Sequence, residues 1–155
     1  SVDIDRLHIL GSGTNDRFSS FDGLGDDRLD TLTVERLSAT FLPSIPARVD
    51  VLSLSRLGAE SIDLGASHVK ACGVSANTAL RSLVVPMEAS VQIQISSNAQ
   101  LTELAWPVGA VAASVVIDGN RALSSCLAER YARESEPPDA GLGRRVQIVG
   151  NGPCP

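Results

Sequence analysis

Along the second half of the chain an aliphatic residue recurs three positions before an asparagine, and a leucine usually stands three positions after it. The four instances are Val74/Asn77/Leu80, Ile95/Asn98/Leu101, Ile117/Asn120/Leu123 and Ile148/Asn151/Cys154. Before each Asn the apolar positions alternate, as in Cys72/Val74 and Ile93/Ile95, which predicts a short strand with one buried face. After it they step more widely, Leu80/Leu83/Val85 and then Leu101/Leu104/Trp106, each run closing on a proline, Pro86 or Pro107. That change of period predicts a strand, a corner and a tight return. Successive Asn77, Asn98 and Asn120 are 21 and 22 residues apart. A unit of that length cannot bury its own apolar face, so neighbouring units must supply the core, and the architecture is a solenoid.

The corner asparagines have a physical purpose. An Asn side chain carries donors and acceptors together, so it can satisfy turn amides and carbonyls that stacking would otherwise bury unpaired. Asn77, Asn98, Asn120 and Asn151 are therefore read as structural, and none of them begins an Asn-x-Ser/Thr sequon.

Upstream the pattern loosens. Ala59/Ile62/Leu64 matches Leu80/Leu83/Val85, and Leu29/Leu32/Val34 has the same internal spacing with Asp26 standing where Asn would be. Residues 27–37 also fit an amphipathic helix, because Leu29, Leu32 and Leu37 share helical spacing in a charged background. Leu42-Pro43-Ser44-Ile45-Pro46 is too rich in proline for a regular element and reads as a connector into a strand around Val49 and Val51. Residues 11–25, polar and glycine-rich with Phe18 and Phe21 embedded, form either an N-terminal cap or an exposed loop.

The C-terminal module is better marked. Ser124 or Ser125 offers an N-cap to a helix bearing Leu127, Glu129 and Tyr131, and Pro137 and Pro138 stop it. The chain then crosses a loop at residues 139–143 and returns as a strand with Val146 and Ile148 inward. Helix and strand together are expected to cover the open end of the stack. Cys126 and Cys154 lie at the two ends of this module, where a disulfide would clasp it, whereas Cys72 occupies the same coil position as Ile93 and is expected to be a buried free thiol. The 155 residues thus divide into irregular N-terminal coils or cap (1–48), regular coils (49–123) and a disulfide-closed cap (124–155) within one solenoid domain.

Composition narrows the function. A net charge of −5 disfavours nucleic acid and anionic membranes as partners, and aromatics at 3% leave no stacked platform for sugars. No apolar run approaches the roughly 18 residues of a membrane span. The chain begins at Ser1, so a secretion signal or anchor is expected outside it. His8 and His68 have no metal-ligand spacing around them, and Gly11-Ser12-Gly13 lacks a nucleophile-elbow context. Asp22, Asp26, Asp27 and Asp30 lack the spacing of a calcium loop. Neither catalysis nor a cofactor or metal is expected. Trp106 is the sole tryptophan; its aligned neighbours, taken as Val34, Leu64 and Val85, favour a core position, while exposure beside Met87 would make it an interface anchor.

The segments Ile-Ser-Ser-Asn-Ala-Gln-Leu-Thr-Glu-Leu (95–104), Ile-Asp-Gly-Asn-Arg-Ala-Leu-Ser-Ser-Cys (117–126) and Val-Gln-Ile-Val-Gly-Asn-Gly-Pro-Cys (146–154) resemble the receptor L-domain, a leucine-rich-like solenoid of receptor ectodomains and bacterial surface proteins. The resemblance covers residues 69–155 and fades before residue 49. It implies a mainly β fold, a right-handed parallel β-solenoid with a helix–strand cap, in a secreted or cell-surface setting. It further implies recognition or adhesion toward a protein or surface polymer. The alternative is a structural subunit of an extracellular filament or coat, a homo-oligomer built by solenoid–solenoid association. The 155 residues contain no cysteine-rich module, so a hormone-receptor role is not an expectation here, and a shared fold carries no ligand across.

Overall fold

A computed structural model describes residues 6–11, 28–40, 42, 44–137 and 144–154. They wind into a parallel β-solenoid of about 4 turns. In chain order the elements are β1 (Arg6–Leu10), β2 (Arg28–Glu35), β3 (Arg48–Ser55), β4 (Ser61–Asp63), β5 (His68–Ser75), β6 (Ser82–Val84), β7 (Glu88–Ser96), β8 (Glu103–Ala105), β9 (Val111–Ala112), β10 (Val115–Asp118), α1 (Ser125–Glu134) and β11 (Val146–Val149). One large sheet runs β1-β2-β3-β5-β7-β10-β11, with β9 beside β7, and a three-stranded sheet, β4-β6-β8, forms the return side.

The core is a set of aliphatic rows running along the stack. Val34, Leu54, Val74, Ile95 and Ile117 stand in register, each closed off by the coil on either side. Ile62, Leu83 and Leu104 form the matching row on the small sheet. Cys72 pairs with Ile93, is buried and free, and burial pushes its thiol up to about 12. Coils repeat every 20 residues through β2, β3 and the start of β5; a bulge in β7, opposite Val69 and Ala71, adds the residue that lengthens the next repeat.

The corners are built alike throughout. A left-handed residue, at Arg36, Arg56, Ala76, Ser97, Gly119 and Gly150, turns the chain out of each long strand. The amides of Arg36, Arg56, Ala76, Ser97 and Gly119 each bond a carbonyl of the next coil. The residue after the bend points into the core. At four corners it is Asn: Asn77 and Asn98 each donate their backbone N–H and Nδ2 to the Oδ1 of the next Asn in the ladder, at 3.0–3.1 Å, and Asn120 makes the same pair of bonds to Asn151 at 3.2 Å. Each Nδ2 also reaches back to a carbonyl of the preceding coil, that of Leu54, Val74, Ile95 or Ile117.

Three sequence expectations are corrected by this register. Leu29, Leu32 and Val34 lie on β2 beside Val49, Leu52 and Leu54, not on a return segment, so the residue equivalent to Asn is Leu37 and not Asp26. Strand β2 places Asp30 and Thr31 off the core in succession, and that break in alternation gives the spacing its helical look. β2 is a strand, so the helical reading of residues 27–37 fails, and in-register coils begin well before residue 49. The expected helix and returning strand do follow the last coil, with Ile148 packed against the core, while Val146 on β11 is 47% exposed against 0% for its row-mate Val115. Residues 12–25 with Phe18 and Phe21, Asp22, Asp26 and Asp27, Pro43, Pro138 and the loop at 139–143 lie outside the described residues.

The C-terminal module is held by three devices. Cys126 is joined to Cys154. A crosslink closing a loop of this length is worth about 3 to 4 kcal/mol in the chain-entropy picture. Ser124 is the N-cap by position but makes no side-chain cap bond, while Ser125 Oγ donates to the Gly152 carbonyl at 2.9 Å. Arg144, which no sequence pattern singles out, is the third. Its nearly buried side chain donates to the carbonyls of Ala112 and Ala132 and to Ser135 Oγ, tying helix end to coil. Among the described residues no helix is long and apolar enough to cross a membrane.

Candidate binding surface

The small sheet lies under two depressions among the described residues. Its strands are three residues each, so their outward side chains, Asp63, Val84 and Ala105, leave a shallow floor walled by the connector at Ser44–Ile45 on one side and by α1 on the other. Two depressions result, of about 490 and 440 Å³, and Pro107 lines both.

The larger depression is built around Trp106. This residue follows β8 at the position of Leu64 and Val85, which are fully buried, yet it is only half-buried. The reason is tertiary. Beyond Trp106 the stack gives way to α1, whose Tyr131 packs under the indole at 5.3 Å between ring centres while the outer side stays open. The indole N–H donates to Glu134 Oε2 at 3.0 Å, Arg130 Nε donates to Glu134 Oε1 at 2.8 Å, and the Arg130 guanidinium sits 5.6 Å from the centre of the indole ring. The hydrogen bond from Arg130, acting against desolvation and aided by the guanidinium charge and by Trp106, holds the Glu134 carboxyl below its ordinary range. Burial, partly offset by a hydrogen bond with Ser135, raises the pKa of Tyr131, which stays a neutral packing group. Trp106 is thus fixed on two sides, and the turn at Pro107–Gly109 lifts a fully exposed Val108 beside it.

The smaller depression has different chemistry. Asp63 is exposed; its Oδ1 accepts the Gly65 N–H at 2.8 Å and it makes no ion pair with a described residue. Ser67, 2% exposed, lies at the base with its hydroxyl bonded to no described group, and Ile45, Val84 and Pro107 make the walls.

The other residues singled out by sequence fall elsewhere. Met87 is half-buried at the entry to β7, its N–H on the Ser67 carbonyl and its carbonyl accepting from Val111, and it does not line the Trp106 depression. The four ladder Asn residues and the Cys126–Cys154 bond are remote from this floor in role: they hold coils and cap. His68 pairs with Glu88 on the outer face of the large sheet at 3.2 Å, and His8 lies on β1. No group of side chains with metal-ligand geometry occurs among the described residues. Asp63 and Ser67 escape sequence reasoning, for nothing in Asp-Leu-Gly-Ala-Ser (63–67) distinguishes a pocket from a turn.

Fold and surface together define a parallel β-solenoid with an open two-part trough on its return side. Compared with family models, with curated proteins and with solved structures, the chain gives no match.

Proposed function

We propose that the protein is an extracellular or cell-surface recognition module of the receptor L-domain kind, binding another protein or a surface polymer through the trough over β4-β6-β8. The single observation that supports this most is the half-open Trp106. An indole locked by Glu134, Arg130 and Tyr131 loses little freedom when covered, which is what an interface anchor requires. The Cys126–Cys154 bond fits an oxidising compartment. The Leu-Ser-Ser-Cys helix start (123–126) and the closing Gly-Asn-Gly-Pro-Cys (150–154) support the family reading.

A second reading, a filament or coat subunit, draws on the two ends of the stack. Leu7 and Ile9 at one end and Ile148 at the other are only partly covered, unlike their fully buried row-mates. Both readings are tested with the whole chain. Panning a random peptide library should enrich sequences that shift the fluorescence of Trp106, the only tryptophan, and lose binding to Trp106→Ala. Absence of any such enrichment would count against peptide recognition. Sedimentation across a wide concentration range should show a monomer; assembly abolished by Ile148→Lys would favour the filament.

A further inference from the structure

The smaller half of the trough specifies more than a generic contact. Building on the recognition reading with a protein as the partner, we infer that the depression between Ser44–Ile45 and the edges of β4 and β6 is a specificity pocket for a lysine or arginine side chain of that partner.

Two polar groups in it are unused. Asp63 engages Oδ1 on the Gly65 amide, which orients the carboxylate, and leaves Oδ2 with no described partner. Ser67 is 2% exposed, yet its hydroxyl bonds no described residue although it lines the pocket. That hydroxyl is not sealed in the interior: it opens on the depression, where it can accept a hydrogen bond from a ligand in place of water. Around these two polar groups the walls are Ile45, Val84 and Pro107, and no cationic side chain lines the space. An open depression of about 440 Å³ with Ile45, Val84 and Pro107 as apolar sides, one carboxylate and the hydroxyls of Ser44 and Ser67 matches a long aliphatic stem ending in a cation, the one side-chain design that is apolar along its length and charged at its tip. The chain's net charge of −5 favours a basic partner in the same sense.

Gly65 shows how the carboxylate is held. A Cβ there would come within 3.1 Å of Asp63 Oδ1 and 3.3 Å of Val84, so glycine keeps the rim open while its N–H fixes the acid. Lysine would place its ammonium between Asp63 Oδ2 and Ser67 Oγ; arginine would bridge the same acceptors with two N–H groups. Pro107, shared with the Trp106 depression, puts an apolar residue of the same partner segment against the indole.

The test uses acetyl-Ala-Lys-Ala amide as probe and its norleucine counterpart as control, titrated into the whole isotope-labelled protein by NMR. The lysine peptide should shift the amides of Gly65 and Ser67 in a saturable manner. The norleucine peptide should bind at least about tenfold more weakly, a difference of about 1.4 kcal/mol. Asp63→Asn keeps the oxygen that accepts the Gly65 amide and should abolish the lysine preference. Equal shifts with both peptides, or a lysine preference intact in Asp63→Asn, overturns the pocket. If library-selected peptides depend on Trp106 while the lysine peptide leaves Gly65 and Ser67 unmoved, the pocket fails and the recognition reading stands.

Discussion

The solenoid turns its corners in two ways. At residues 37 and 57 the inward corner residue is leucine, and at 77, 98, 120 and 151 it is asparagine, although the same left-handed bend precedes all six. In the Asn half, the amides of Asn77 and Asn98 each have a side-chain acceptor in the next coil, and each Nδ2 satisfies a strand carbonyl behind it. Leu57 stands at the join, its N–H taken by Asn77 Oδ1 at 2.8 Å. In the Leu half, apolar burial fills the same space, and the coils close up by backbone contact. Gly58 donates to the Leu37 carbonyl at 2.7 Å, and a Cβ on it would meet the Ser38 carbonyl at 2.8 Å. The coil path is therefore set by strand register and the left-handed bend, and the corner residue decides only how the buried groups are satisfied.

The largest effect is expected at Asn98→Ala. It removes Oδ1 from the Asn77 amide and Nδ2 from the Val74 carbonyl, leaving two buried groups unpaired. A loss of about 3 to 5 kcal/mol should appear as a lower urea midpoint. An unchanged midpoint would mean that the ladder contributes no more than the leucine corners do.

Next comes a pH effect from the thiol in the strand rows. Cys72 has its pKa raised from 9.0 to about 12 by burial. Because the folded pKa is the higher one, the unfolded chain loses its proton first. The stabilising difference is complete below about pH 9 and disappears as pH climbs from about 9 to about 12. Chemical denaturation across that window should show stability falling faster in the native sequence than in Cys72→Val; parallel curves would contradict the burial.

Leu57→Asn sharpens the comparison from the other side. It would extend the ladder by one rung, offering Oδ1 to the Leu37 amide and Nδ2 to Asn77 and the Val34 carbonyl, while giving up a leucine side chain. The two terms are each about 2 kcal/mol, so the net change should stay within about 1 kcal/mol. A loss of several kcal/mol in the midpoint would show that the Leu corner is not an equivalent site. Smallest of all is Ser97→Gly at a φ of +57°, where relief of the left-handed strain and the added freedom of the unfolded chain nearly cancel. A gain of about 0.5 kcal/mol is expected, readable as a small rise in melting temperature.

Much of the architecture is legible along the chain wherever asparagine marks the corner. The spacing of Val74, Asn77 and Leu80 reads correctly as strand, corner and return, and Ala59/Ile62/Leu64 aligns to the right segment because its row shares the small sheet. Where leucine replaces the marker, at Leu37, the same spacing puts Leu29/Leu32/Val34 on the wrong side of the coil. An apolar corner cannot be told from the apolar rows on either side of it. Trp106 aligns properly with Leu64 and Val85 and is still not a core residue, since repeat position predicts the coil face and not what packs beyond the last coil.

The sequence by itself determined the solenoid, its period and the inward rows, because those follow from the order of apolar and polar residues, and stacking repeats one local answer. Only the tertiary structure decided the trough. Asp63 and Ser67 face the same space as Ile45, and Trp106 stays half open, through contacts between coils roughly 20 residues apart and a helix that ends the stack. No local pattern encodes a gap between neighbours, for a pocket is the place where the repeat stops filling space.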